Sequence, residues 1–85
     1  MTWQIEIKRS ARKALLSLPS MMQRRLGERI DALADEPRPP GARKLAGSDI
    51  QYRIRVGDYR ILYEIHDNRL VINVIKIGHR REVYR

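Results

Sequence analysis

The sequence has no cysteine and no apolar run that approaches the ~20 residues a helix needs to cross a bilayer. Without cysteine, the chain cannot form disulfides, use a thiolate as a nucleophile or bind zinc through sulfur. Its first ten residues carry charges where a signal peptide has its apolar segment. We therefore expect a cytoplasmic protein with no membrane partner.

Histidines and grouped acids are also scarce. There are two histidines, and the ten acidic residues are scattered along the chain. A dedicated metal site needs several ligands close together, and two-metal nucleases need grouped carboxylates. The sequence therefore predicts no metal site and no cofactor.

Cations, in contrast, are abundant. Eighteen Lys and Arg residues stand against ten Asp and Glu, which gives a net charge of +8, and fourteen of the eighteen are Arg. Such an excess favours a polyanionic partner. Arginine holds phosphate through two donors in one plane, so the bias towards Arg favours nucleic acid.

The first half of the chain predicts a strand followed by a helical hairpin. Apolar and polar residues alternate over 2–7, and apolar residues then recur at helical spacing. Ser10 is the expected N-cap of the first helix, which Pro19 ends. The second helix is expected to start at Ser20, and Pro37 ends its pattern.

The second half predicts a loop and three strands. The loop spans 36–49, where proline and glycine concentrate. The strands are expected at 50–56, 59–66 and 70–78, joined by tight turns at Gly57-Asp58 and Asp67-Asn68. The third is almost continuously apolar and belongs inside the sheet. The order β-α-α-β-β-β predicts a single two-layer α+β domain over 1–85, with the hairpin on one face of a mainly antiparallel sheet.

Three arginines fall on the sheet face away from the helices. Arg53 and Arg55 alternate with the apolar set of their strand, and Arg60 follows the turn on the next strand. A solvated strand face is the plain alternative. We favour phosphate binding, because like charges on neighbouring strands cost stability unless an anion compensates them.

The chain ends on a second cationic cluster, with His79, Arg80, Arg81 and Tyr84 in "IKIGHRREVYR". Tyr84 suits packing and catalysis equally on spacing alone, although nearby arginines would stabilise its phenolate. His79 suits proton transfer, a structural contact or base stacking.

Two stretches, "YRIRVGDYRILYEI" and "VINVIKIGHRREVY", together resemble the RelE branch of the RelE/ParE toxin superfamily. The likeness extends over nearly the whole chain. It implies a RelE-like fold and the toxin of a type II toxin–antitoxin system. Such a toxin is an mRNA interferase, a metal-independent endoribonuclease that enters the ribosomal A site and cuts mRNA by 2′-hydroxyl attack. A cognate RelB-like antitoxin is expected to neutralise it by covering the helical hairpin or the arginines.

The resemblance also implies roles for individual residues. Arg60 matches the phosphate-binding arginine of the family, and Arg80 matches the arginine that stabilises or protonates the leaving 5′ oxygen. Tyr84 matches the terminal catalytic tyrosine, which orients or deprotonates the 2′-hydroxyl. These three are the expected catalytic residues.

Four further residues are expected to bind substrate: Arg53, Arg55, His79 and Arg81. The best-known RelE members have lysine at the positions of Arg53 and Arg55. Arginine holds phosphate well but carries protons poorly, so this departure shifts proton transfer towards the tail. Two alternatives stay open: a ParE-like toxin that inhibits a DNA topoisomerase, and a non-catalytic basic RNA-binding module.

Overall fold

The computed structural model describes residues 3–79. In chain order, the elements are β1 (Gln4–Ile7), α1 (Arg9–Leu16), α2 (Ser20–Ala32), β2 (Arg43–Lys44), β3 (Gln51–Val56), β4 (Tyr59–His66) and β5 (Val71–His79). The predicted α+β class is confirmed, and the predicted order gains one short strand, β2. Neither helix in this range has the length and hydrophobicity needed to cross a membrane.

The five strands form one mixed sheet in the order β1-β5-β4-β3-β2. β1 runs parallel to β5, and the other neighbouring pairs are antiparallel. β5 therefore lies inside the sheet, as its continuous apolar sequence predicts. The edge strand β2 falls within the segment predicted as a loop. It pairs through only two residues, which is too short for an alternating pattern to indicate it.

The hydrophobic core lies between the helical hairpin and one face of the sheet. The hairpin contributes Ala11, Leu26, Ile30 and Leu33, each at most 2% exposed. The sheet contributes Ile54, Val56, Ile61, Tyr63, Ile65, Ile72, Val74 and Ile77. In β4 the buried residues alternate strictly with partly exposed ones. The helices therefore cover only one face of the sheet, and within 3–79 the side chains of β4 on the other face stay partly exposed.

The start of α1 differs from the predicted one. The helix begins at Arg9 with Lys8 in the N-cap position and no capping side chain, so the prediction of Ser10 as N-cap is wrong. Backbone pairing with β5 is the reason. The Lys8 N–H donates to the Val74 carbonyl at 2.8 Å, and the Lys8 carbonyl accepts from the Arg12 N–H at 2.9 Å. The sheet, and not a side-chain cap, fixes where α1 starts.

Two connections also differ from expectation. α2 ends at Ala32, before Pro37 is reached. The β4–β5 turn spans 67–70 instead of two residues, and Leu70 takes a positive φ of 54° within it. The Leu70 carbonyl accepts a hydrogen bond from the Gln4 N–H at 2.9 Å. The longer turn therefore contributes a backbone hydrogen bond at the start of the parallel pairing between β1 and β5.

An aromatic pair fastens the loop after α2 to the sheet. The rings of Tyr52 and Tyr63 stack with centroids 6.1 Å apart, and the Tyr63 hydroxyl donates to the Pro37 carbonyl at 2.8 Å. The Arg38 guanidinium lies 5.2 Å from the centre of the Tyr52 ring. It donates to the Tyr52 hydroxyl at 3.2 Å and to the Asp67 carboxylate at 3.1 Å. The hydrogen bond to Asp67 is the main reason that the pKa of Arg38 is raised.

We expect Tyr63→Phe to lower the free energy of unfolding by about 1 kcal/mol at neutral pH, because the Pro37 carbonyl loses its donor. Burial raises the pKa of Tyr63 from 10.0 to about 12. The native state therefore retains the phenol proton more tightly than the unfolded state. The resulting stabilisation of the native state is complete below pH 10 and is lost as the pH rises towards 12. Urea unfolding at several pH values should show wild type and variant converging between pH 10 and 12. A constant difference across that range would contradict this account.

Candidate functional site

The sheet face that the helices leave open carries two arginine pairs. Arg55 of β3 lies directly opposite Arg60 of β4, and Arg43 of β2 lies directly opposite Arg53 of β3. Residues two apart on a strand point to the same side, so Arg53 and Arg55 share this face. We call these four residues the arginine face. It brings together Arg53, Arg55 and Arg60, as the alternation predicts.

A depression of about 440 Å³ opens between these side chains. Its lining residues are Gly41, Arg43, Arg53, Ile54, Arg55 and Arg60. Arg53 and Arg60 are half-buried, with the Nη1 atom of Arg60 shielded from solvent, whereas Arg55 is exposed. The Arg55 Nε donates to the Gly57 carbonyl at 3.1 Å. Gly57 has a φ of 62°, which favours glycine, so the tight turn that pairs Arg55 with Arg60 depends on it.

The arginine face sets like charges directly opposite one another on neighbouring strands. Directly opposed residues have Cβ atoms about 4.5–5.5 Å apart, and like charges at that distance are destabilising. Two acids of the same face lie away from these pairs. Glu64, further along β4, contacts His66 at 3.0 Å, and Glu6 of β1 lies in the same cross-strand row, with Asn73 between them. An anion between the two pairs would accept charge-assisted hydrogen bonds from both. The arrangement therefore suits a phosphate.

His79 lies apart from these arginines. It is opposite Tyr59 in the register, and the two rings meet edge-on with centroids 5.9 Å apart. Both residues line a second cavity of about 370 Å³ together with Ser17 and Leu18 at the end of α1. The structure thus places His79 on the helix side of the sheet, and its role in substrate binding stays a prediction.

The other tail residues, Arg80, Arg81 and Tyr84, lie outside the described residues. Their predicted roles, and those of Arg53, Arg55 and Arg60 in binding and catalysis, stay predictions.

Two cations near the site were not predicted to belong to it. Arg43 falls in the segment predicted as a loop, and only the register of β2 with β3 reveals its position. Lys76 of β5 lies opposite Leu62 of β4. Leu62 is two residues from Arg60 on the same strand, so Lys76 lies on the same side of the sheet as Arg60. A signal for Lys76 was available, because it is the one charged residue in the apolar run 70–78.

Comparisons with known proteins support a toxin. The family profile described as "ParE toxin of type II toxin-antitoxin system, parDE" matches residues 5–84. Toxin RelE1 of Methanocaldococcus jannaschii is 33% identical over 100% of this chain and 98% of its own length. The chain belongs to the RelE/ParE family of toxins.

Its similarity is to RelE-named members in particular. Toxin RelG of Mycobacterium tuberculosis is 30% identical over 100% of this chain and 99% of its own length. The crystal structure of the archaeal RelE-RelB complex from Pyrococcus horikoshii OT3 matches with a TM-score of 0.85 and 37% identity, over 96% of this chain and 99% of that one. The protein is therefore a RelE-like toxin of a toxin–antitoxin system, and its two-layer fold is that of solved RelE structures.

We expect Arg43→Gln to raise the free energy of unfolding by about 0.2–1 kcal/mol at low ionic strength, because repulsion from Arg53 is removed. The gain should shrink as salt screens the pair. Lys44→Gln is the matched control, since Lys44 lies opposite Tyr52 and contacts Asp49 at 3.5 Å. Urea unfolding at low and high salt measures both variants. An equal gain in the control would show that net charge, and not the opposed pair, is responsible.

Proposed function

We propose that this RelE-like toxin is an mRNA interferase, a metal-independent endoribonuclease that cuts mRNA in the ribosomal A site and so inhibits translation. The observation that carries the proposal is the arginine face, where two opposed arginine pairs surround a depression on the uncovered side of the sheet. Membership of the RelE/ParE family and the "GHRREVY" sequence at 78–84 support it.

The proposed reaction is a transesterification within the RNA. The 2′ oxygen attacks the adjacent phosphorus while the bond from phosphorus to the 5′ oxygen of the next nucleotide breaks. The products are a 2′,3′-cyclic phosphate and a 5′-hydroxyl. One proton leaves the 2′-hydroxyl and one is delivered to the leaving oxygen, so the step needs no external reactant. Negative charge grows on the nonbridging oxygens, where fixed cationic donors stabilise it most.

The roles divide between the sheet and the tail. Arg60 holds the scissile phosphate, and Arg53 and Arg55 bind the flanking backbone. Arginine stays protonated in proteins, so these three residues supply charge and hydrogen bonds but no mobile proton. Proton transfer therefore falls to Tyr84 at the attacking 2′-hydroxyl, while Arg80, which also stays protonated, stabilises the charge on the leaving 5′ oxygen. The remaining two predicted substrate-binding residues, His79 and Arg81, flank Arg80 in the sequence.

A RelB-like antitoxin is the proposed partner that keeps the toxin inactive. The relative from Pyrococcus horikoshii is a RelE-RelB complex and matches 96% of this chain. An acidic antitoxin segment would compensate the excess positive charge of the toxin, and it would block access to mRNA if it covered the arginine face.

Cleavage of mRNA on programmed ribosomes tests the proposal. We expect Arg60→Ala to lower the cleavage rate by about 10²-fold or more, as loss of one transition-state donor does elsewhere. Tyr84→Phe should lower it by about 10²–10⁴-fold, which is the usual contribution of a positioned acid or base. Arg80→Ala should lower it by about 10²–10³-fold, as expected for the loss of one transition-state donor. The control is Arg69→Ala, which removes an exposed arginine from the β4–β5 turn and should leave the rate unchanged.

Other outcomes separate the alternatives. Full activity in Arg60→Ala and Tyr84→Phe would refute the site assignment. The family profile carries a ParE description, so supercoiling by DNA gyrase is assayed in parallel. Gyrase inhibition without ribosomal cleavage would identify a ParE-like toxin. RNA binding with no product, unaffected by Tyr84→Phe, would identify a non-catalytic module.

A further inference from the structure

The edge strand β2 consists of two exposed cationic residues that point to opposite sides of the sheet. Lys44 points to the helix side, and its Nζ contacts the Asp49 carboxylate at 3.5 Å. Arg43 points to the other side, where it lies opposite Arg53 and lines the depression. None of the ion pairs formed within 3–79 involves Arg43. Of the two cations, Arg43 is therefore the one that the described fold leaves to be matched by another molecule.

Hydrogen bonds hold the backbone on both sides of Arg43. Before β2, the Arg38 guanidinium donates to the Asp67 carboxylate at 3.1 Å, which ties the preceding loop to the β4–β5 turn. After β2, the Leu45 N–H donates to the Gln51 carbonyl at 2.8 Å and extends the pairing with β3. A ligand of Arg43 would therefore need to order only its side chain and not the segment that carries it, which lowers the entropic cost of binding.

The position of Arg43 separates it from Arg60, the residue proposed to hold the scissile phosphate. The two arginines belong to the strands on either side of β3, so their backbones lie about 10 Å apart across the sheet. They also differ by two residues in register, which corresponds to about 7 Å along the strands. An anion between Arg43 and its directly opposed neighbour Arg53 is much closer. Arg43 is therefore placed to contact a different phosphate from the scissile one.

A cation on an edge strand has a simpler explanation, since charge there prevents pairing with another chain. That role is independent of which side of the sheet the side chain occupies, and Lys44 fulfils it beside an acid. Arg43 instead lies opposite a second arginine, an arrangement that costs stability. The placement therefore favours an anionic ligand over protection of the edge.

We propose that Arg43 is a further substrate-binding residue, which together with Arg53 holds an mRNA phosphate that flanks the one held by Arg60. This inference rests on the proposed function. It gives the RNA backbone a path across the uncovered side of the sheet, from β4 towards the edge strand β2. Contacts of this kind fix the position of the substrate without reading its sequence.

The test combines two matched variants, Arg43→Gln and Lys44→Gln, with mRNAs in which one phosphate near the cleavage site is an uncharged methylphosphonate. Cleavage on programmed ribosomes is measured with toxin in excess. With unmodified mRNA, Arg43→Gln should raise the half-saturating toxin concentration by about tenfold, as loss of a charge-assisted hydrogen bond does. The maximal rate should change much less, because a flanking contact binds ground state and transition state alike. Lys44→Gln, which removes the same charge from the same strand, should behave as wild type.

The neutral linkage separates a direct contact from a general effect of charge. At one flanking position it should cost wild type and Lys44→Gln about tenfold in half-saturating concentration. It should cost Arg43→Gln nothing further, because that contact is already missing. Arg43→Lys should regain the sensitivity, since lysine binds phosphate as a point charge. Arg43→Gln is expected to stabilise the free protein, so unfolding cannot account for its weaker binding.

Three outcomes would overturn the inference: Arg43→Gln saturates like wild type, it stays fully sensitive to every neutral linkage, or Lys44→Gln loses as much affinity. Failure of the proposed function gives a different result. A wild type that binds programmed ribosomes without cleaving mRNA refutes the nuclease. The same comparison of variants and linkages, measured as affinity, then decides whether Arg43 contacts the flanking phosphate.

Discussion

The register of β3 against β4 is the constraint on which the rest of the molecule depends. The turn at Gly57 pairs Ile54 with Ile61 on one side of the sheet and Arg55 with Arg60 on the other. Because side chains alternate, a slip of one residue would put the arginines into the core and the isoleucines into water. One backbone feature therefore sets both the core and the candidate site.

The magnitudes show why the sheet tolerates opposed arginines. Burial of a side chain such as Ile54 contributes about 1.5–3 kcal/mol, whereas a like-charge pair on an exposed face costs about 0.2–1 kcal/mol. Buried residues on the helix side, Ile61, Tyr63 and Ile65 among them, occupy the alternate positions of β4. The hydrophobic side of the same strands thus outweighs the repulsion, and the fold can keep a charged surface ready for a partner.

The alternation of apolar and polar residues made most of the sheet and its arginine face predictable. Period two in residues 50–66 indicated both the strands and the common face of Arg53, Arg55 and Arg60. Failures occurred where tertiary contacts override local preference. Ser10 is a good N-cap type, but the hydrogen bond from Lys8 to Val74 sets the start of α1.

Long-range pairing explains the other differences between expectation and structure. β2 exists only because β3 offers it an edge, and Arg43 joins the site through that pairing alone. His79 was expected to bind substrate together with Arg53 and Arg55. In the structure, His79 points to the same side of the sheet as Tyr59, which is the side opposite the arginine face. Neighbouring residues of a strand point in opposite directions, so His79 cannot share a side with Gly78, which pairs with Arg60.

Holding a phosphate and transferring a proton require different kinds of side chain. Arginine holds phosphate strongly because it never gives up its proton, and for that reason it is a poor acid or base. A face built from four arginines is therefore specialised for holding charge, and in the proposed reaction the proton must move through groups that the sheet does not supply. In the proposed reaction, proton transfer thus belongs to residues that follow β5 in the sequence. Binding and reaction, as proposed, then depend on different residues.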